Sequence, residues 1–406
     1  MLKKLWIGLA LCLSVAYGDL LIRNVTIVDI GADTTHPKSS ILIRGDRIAV
    51  IGREILVTKG TTIVEGVGRF VIPGLWDMHV HLARRDQLPH YLAQGVTGVR
   101  DMGSDLDRAK EWRRAIDEGE VLGPHIETCG PPLDGFPAKG ADNPVTIVRS
   151  PGEARTVFDR LDNHGVDFIG VLPRLPRDAY FALIERARKY HRPVAGAVPA
   201  TVSVLEAVDN RQRSIDKMSG ILLACSTEER KLRGPRALAL DRRDWAEFQD
   251  LETKAIESFD PAKADSLFRR MAMFETRSVP VLVKLRSSPR TKEHYPKFAE
   301  LVLAMQRAGV AILAGADGAQ IHDELESLVD AGLTPAEALR SATIEATKYL
   351  DASGSLGMVE QGKIADLVLL DANPLADIRN ARRISAVVFG GKYLGELRLR
   401  TLAAVR

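Results

Sequence analysis

Two histidines one residue apart, His79 and His81, close the apolar run Val71-Ile72-Pro73-Gly74-Leu75-Trp76-Asp77-Met78-His79-Val80-His81-Leu82. In an extended strand residues i and i+2 share a face. The two imidazoles can therefore aim at one point, which is what a bound metal requires. A His-x-His pair is weak alone and gains weight from the turn and the apolar run before it. A third candidate ligand is Asp317, just past the apolar run Leu313-Ala314-Gly315-Ala316. Two histidines and a carboxylate make a metal site with open coordination positions. A carboxylate beside a polarised water can also act as proton acceptor.

The elements that must carry these residues follow from periodicity and turn residues. Residues 19–71 read as β structure, rich in Val, Ile and Thr, with Arg44-Gly45-Asp46-Arg47 as a hairpin turn. Gly362 to Asp371 and Ile384 to Leu394 read as strands again, so 19–71 and 355–406 are expected to form one small β-sandwich domain built from both termini. Residues 72–354 alternate short apolar strands with amphipathic helices. The strands include Gly95 to Asp101, Pro124 to Cys129, Asp167 to Leu172, Pro193 to Val198, Ser278 to Val283 and Val310 to Ala316. Repeated βα units favour a parallel sheet, and eight units in about 280 residues fit a TIM-type (β/α)8 barrel. The expected fold class is thus α/β, a barrel with a side domain. Such barrels place their chemistry at the C-terminal strand ends, where His79, His81 and Asp317 would stand.

With these residues in place the chain resembles the metal-dependent amidohydrolase superfamily, in its imidazolonepropionase-like or prolidase-like branch. The resemblance rests on Pro73-Gly74-Leu75-x-Asp77-x-His79-x-His81, on Gly95-Val96-Thr97-Gly98-Val99-Arg100-Asp101-Met102-Gly103, and on Asp317. His322-Asp323-Glu324-Leu325, Leu333-Thr334-Pro335-x-Glu337-Ala338-Leu339 and Gly362-Lys363-x-Ala365-Asp366-Leu367-Val368 extend it over nearly the whole chain after residue 18. It implies a barrel with a β-sandwich and usually two metal ions. One ion is implied on the first-strand histidines and the last-strand Asp, the other on two further histidines, with a carboxylated lysine between them.

Residue by residue the correspondence is partial. The bridging lysine is expected after Asp167-Phe168-Ile169, where Gly170 stands. One second-ion histidine is expected after Val194-Ala195-Gly196, where Ala197 stands, and the other after Ser214-Ile215-Asp216, where Lys217 stands. Glycine and alanine cannot bind metal, so the expected cofactor is one divalent ion, zinc first among the choices, or none. Lys217 has two open placements: its ammonium replaces the missing charge and pairs with Asp317, or it swings to solvent. Lys217 and His322 are candidate pocket residues, with a helix-start role as the plainer alternative for His322. Asp317 has a helix N-cap as its alternative. Asp101 reads as a turn former, His125 and His164 as structural, and Met271 and Met273 as helix packing.

Two function classes remain. One is a hydrolase of C–N bonds in a small amide, cyclic amide or dipeptide, with water activated at one ion and Asp317 as base. The other is a catalytically inactive pseudoenzyme serving as a secreted binding or scavenging module, which the lost ligands favour on chemical grounds. A third reading has Lys217 acting catalytically.

Met1-Leu2-Lys3-Lys4 followed by an apolar run to Val15 and small residues at 16–18 reads as a secretory signal over 1–18, too short to span a membrane. The expected location is periplasmic or secreted, with no stable membrane span after signal removal. Without its two lysines the net charge falls from +3 to +1, which argues against nucleic-acid binding; the expected partner is a small-molecule substrate or ligand. A homo-oligomer and a Cys129–Cys225 disulfide are both left open.

Overall fold

The computed structural model describes residues 18–137 and 144–404, so the leader reading over 1–18 lies outside the described residues except for Gly18. An eight-stranded mixed sheet combines Leu20–Asp29, Thr34–Arg44, Arg47–Gly52, Thr62–Glu65 and Phe70–Pro73 with Leu367–Leu370, Ile384–Phe389 and Lys392–Gly395. The two ends of the chain meet where Phe70–Pro73 runs antiparallel to Leu367–Leu370. Alternation decides which way each side chain faces. Val71, Leu367, Leu369 and Val388 enter a core within this sheet's own strands. Their neighbours Ile72, Val368, Leu370 and Val387 join the main α/β core. A period of two thus lets one sheet serve two cores.

The rest is α/β with parallel strands. Leu75–Val80, Val96–Asp101 and His125–Thr128 form one sheet. Leu133–Asp134, Thr146–Ile147, Ile169–Val171, Val194–Gly196, Ser214–Asp216 and Arg277–Val279 form another. Asp167 N–H donates to Thr128 O at 3.0 Å between the two. On the far side Ser278 bridges Ile312 in parallel. Met78 N–H donates to Ala314 O and Asp317 N–H to His79 O, each at 2.8 Å. Gly315 permits that approach, because a Cβ there would stand 2.7 Å from His79 Cβ and 2.8 Å from Val279 Cγ1. Strands covered on both faces are buried throughout and mostly apolar, which is why these segments read as runs rather than alternations.

Several expectations change. The strand expected over Ser278 to Val283 ends at Val279, and Leu282–Ser287 is helical. Val310 to Ala316 forms a bridge and single hydrogen bonds rather than a named strand. Met271 is buried in the Pro261–Met273 helix as expected, whereas Met273 is exposed. Cys129 and Cys225 are both buried and free. No helix among the described residues is long and apolar enough to cross a membrane.

The Leu282–Ser287 helix starts at Val281, whose φ of 54° is costly for a β-branched residue. It is held by Glu324, which is fully buried and accepts from Leu282 N at 3.0 Å and Val283 N at 2.8 Å. Burial pushes the Glu324 carboxyl up to about 8, against the two backbone donors. A raised carboxyl contributes stability that is complete below its unfolded value and is lost as pH rises through the folded one. Stability should therefore fall between an ordinary 4.5 and about 8. Glu324→Gln, shaped like the neutral acid, should flatten that decline, as urea midpoints measured at about pH 5 and about pH 8 will show.

Candidate active site

His79 and His81 end the first parallel strand of the α/β body, and Asp317 follows the segment hydrogen-bonded beside it. The ligand atoms of all three lie within 4.8 Å of one another. Asp317 Oδ1 is 3.5 Å from His81 Nε2 and 3.9 Å from His79 Nε2. Neither contact is an ion pair at neutral pH. Burial, with Lys217 adding to it, lowers His79 to about 4 despite the nearby carboxylates. The same two causes lower His81. Asp317 is not a helix N-cap; the next helix, Ile321–Asp330, starts after Gln320, and Asp317 itself has a φ of 49°.

Lys217 Nζ stands 2.9 Å from Asp317 Oδ2, so of its two open placements the inward one is found. Burial alone would raise the Asp317 carboxyl, but Lys217 and the histidines outweigh it and hold it below its ordinary value. Lys217 has a φ of 55° and Met218 one of 54°. Left-handed non-glycine residues thus cluster at the ends of neighbouring strands, a place where backbone strain often marks function.

A network that the sequence reading missed supports His79 from behind. His79 Nδ1 is hydrogen-bonded to Asp216 Oδ2 at 2.7 Å. The same oxygen accepts from Arg100 Nη2 at 2.7 Å. Arg100, with no exposed surface, also donates to Met78 O, Ser214 Oγ and Tyr349 Oη. Its guanidinium lies 5.1 Å from the Tyr349 ring centroid and 5.5 Å from that of Phe168. Burial would raise Asp216, yet Arg100 and His79 bring it down to about 2. A carboxylate on Nδ1 makes that nitrogen the protonated one and leaves the Nε2 lone pair facing Asp317. That Nε2 atom is buried and has no hydrogen-bond partner. Asp77 orients the strand from below by accepting from His79 N at 3.1 Å and Ala316 N at 3.0 Å. An arginine inside a run otherwise built of buried strand residues was the available signal, since a charge there needs a partner.

A cavity of about 340 Å³ opens beside these residues. His79, His81, Asp216 and Lys217 supply polar groups, and Met102, Pro132, Leu172 and Phe248 are among its apolar wall. Gly170 and Ala197 line it too, so two of the positions without a ligand face the same space as Lys217. A Cβ on Gly170 would stand 2.7 Å from Cys129 Sγ, so the Cys129 side chain fills that corner. His322 does not belong here. It is buried in the first turn of Ile321–Asp330 and its Nε2 is 3.0 Å from Gln94 O, which turns the ring away from the cavity. Asp101 is no mere turn former either: it is buried and accepts from Leu82 N, Thr128 Oγ1 and Ser104 Oγ. His125 pairs with Asp366 at 2.8 Å, joining the parallel strands to the mixed sheet.

The donor set suits one ion. His79 Nε2 is an orphaned buried acceptor aimed at the other two ligands, and two imidazoles with a carboxylate are a common zinc set with room for water. It does not suit two, because Gly170 and Ala197 offer no donor and Lys217 brings a positive charge.

Comparisons with known proteins bear on the family and the fold. A family model described as the amidohydrolase family matches residues 70–394. The imidazolonepropionase of Fusobacterium nucleatum is 23% identical over 368 residues, covering 83% of this chain and 86% of that protein. An adenine deaminase of Bdellovibrio bacteriovorus is 23% identical over 94% of this chain, which spans 58% of that protein's length. The chain thus spans less than two thirds of the adenine deaminases it matches. Among solved structures, a prolidase complexed with N-methylphosphonate-L-proline superposes with a TM-score of 0.72 at 20% identity, covering 93% of this chain and 99% of that one. A Xaa-Pro dipeptidase with bound methionine gives 0.71 at 22% identity, covering 93% and 100%.

Asp216→Asn tests the support network. It leaves the Arg100 charge buried and only neutrally bonded, so unfolding free energy should drop by about 3–5 kcal/mol, read from chemical denaturation.

Proposed function

The chain belongs to the amidohydrolase family, and from that premise we propose that it hydrolyses a C–N bond in a small, largely apolar amide, cyclic amide or dipeptide with a single divalent ion. Residues 72–354 would form the closed (β/α)8 barrel, and 19–71 with 355–406 the composite β-sandwich. The hydrogen bonds donated by Asp167 N–H to Thr128 O, by Leu313 N–H to Ser278 O and by Met78 N–H to Ala314 O support that closure. Exported by its leader, the protein would work in the periplasm or outside the cell.

One observation carries the reading: Lys217, His79 and His81 line one cavity, and Asp317 stands against all three, in spite of the lost ligands. Family members are typically metal-dependent. His79 Nε2, His81 and Asp317 would hold the ion, which supplies a Lewis acid that makes water nucleophilic near neutral pH. Asp317 then takes the proton of the attacking water and hands it to the leaving nitrogen. Lys217, on the cavity side of Asp317, donates to the substrate carbonyl oxygen and stabilises the charge growing there, a task the second ion would otherwise share. The Arg100–Asp216 pair keeps the His79 lone pair in place while this happens. The apolar wall seats the rest of the substrate and keeps bulk water out.

A second reading, a binding module without catalysis, has its own observation. The Lys217–Asp317 ion pair occupies the proton acceptor, and Gly170 and Ala197 leave the neighbouring wall inert.

Turnover of N-acyl amino acids, cyclic amides and dipeptides with zinc present separates the two. Hydrolysis of any class, falling by about 10²–10⁴ in Asp317→Asn with folding intact, is the expected result. No turnover of any class by a protein that holds one ion would leave the binding module.

A further inference from the structure

We propose that Lys217 and a divalent cation compete for Asp317, so that the ion-free site neutralises itself and loading the ion requires the lysine side chain to swing into the cavity. The inference rests on the one-ion reading above and adds a control built into the same site.

Charge and geometry carry it. The charged groups that face Asp317 and His79 pair off, while Asp77 and Asp101, buried near by with no ion pair among the described residues, have carboxyls raised by burial. Asp317 is matched by Lys217 at 2.9 Å, and Asp216 by Arg100 at 2.7 Å. At the rim Arg236 is matched by Glu252 at 2.5 Å. The imidazoles add donors but no charge. An ion held by atoms that all lie within 4.8 Å of one another would sit a few ångströms from an ammonium bonded to one of its own ligands. Its double charge doubles the repulsion that a monovalent cation would feel, and partial burial screens it poorly. Asp317 turns Oδ1 to the imidazoles and Oδ2 to Lys217, so the ion and the ammonium contend for one carboxylate's charge across a few ångströms.

The lysine is the one that can move. Its backbone is pinned, with Lys217 N–H donating to Val279 O at 2.8 Å. Asp317 is pinned in turn through its N–H to His79 O. The Lys217 side chain is 43% exposed and borders a cavity walled by Gly170, Gly196 and Ala197, none of which has bulk to obstruct it. Rotation about side-chain bonds alone takes the ammonium away from Asp317. Meanwhile the lone pair of His79 Nε2 stays buried and unpartnered, because a neutral lysine–carboxylate pair satisfies Asp317 and leaves that nitrogen unserved. Ion binding would satisfy it and would turn the Lys217 N–H groups toward substrate.

The test is ion affinity on the full chain, measured by zinc titration calorimetry and by the visible absorption of cobalt, with circular dichroism to confirm folding. Lys217→Met should bind one ion at least ~10-fold more tightly than the unmodified protein, whereas Lys217→Arg, which keeps the charge, should stay within ~3-fold of it. Lys217→Gln carries the same expectation as Lys217→Met and replaces it if that variant fails to fold. Asp317→Asn should lose the ion in every background. One ion bound with equal affinity by all the Lys217 variants overturns the competition and leaves the one-ion reading standing. No ion bound by any of them, including Lys217→Met, overturns the one-ion reading and the competition with it.

Discussion

The ion pair between Arg100 and Asp216 is the constraint around which the site is arranged. Both charges are buried, and desolvating them is repaid only if most of the remaining donors and acceptors are used. Four of Arg100's five N–H groups find acceptors, on Met78, Ser214, Tyr349 and Asp216, which ties the second strand of the α/β body to the first and to Ser214–Asp216. Because Asp216 Oδ2 also faces His79 Nδ1, the pair that secures the interior fixes the orientation of the His79 imidazole as well. Stability and chemistry share one carboxylate oxygen.

That arrangement gives the missing ligands a physical meaning. Gly170 and Ala197 offer no donor and Lys217 brings a positive charge, while behind His79 the backbone bonds that Asp77 accepts are in place. The space has instead become part of an apolar cavity with one ammonium at its edge. A lysine there does one thing a bound metal cannot: it moves its charge on a flexible stem. Its left-handed backbone, shared with Met218 and with Asp317 across the site, shows that the turns at these strand ends are shaped for the residues they present rather than for chain economy.

Much of this was legible in the chain. The mixed sheet built from both ends followed from β-branched runs and turn residues, and the α/β body from alternating apolar runs and amphipathic stretches. His79, His81 and Asp317 declared themselves by type, spacing and position after apolar runs. What misled was local. Val281 to Val283 continues a strand-like composition, but a carboxylate from Glu324, more than forty residues on, caps a helix there. Tertiary contact overrode propensity. His322 has the chemistry of a pocket residue, and only its hydrogen bond to Gln94 O turns it away.

The sequence by itself determined the family, the strand that carries two imidazoles, and the absence of donors at 170 and 197, because residue type and period are local properties. Tertiary structure alone decided where Lys217 points, which oxygen orients His79, and that Arg100 and Asp216 are partners across 116 positions of chain. Those are distances between distant segments, and no local pattern encodes a distance. A buried charge in a strand announces that it has a partner; only the folded chain says which one.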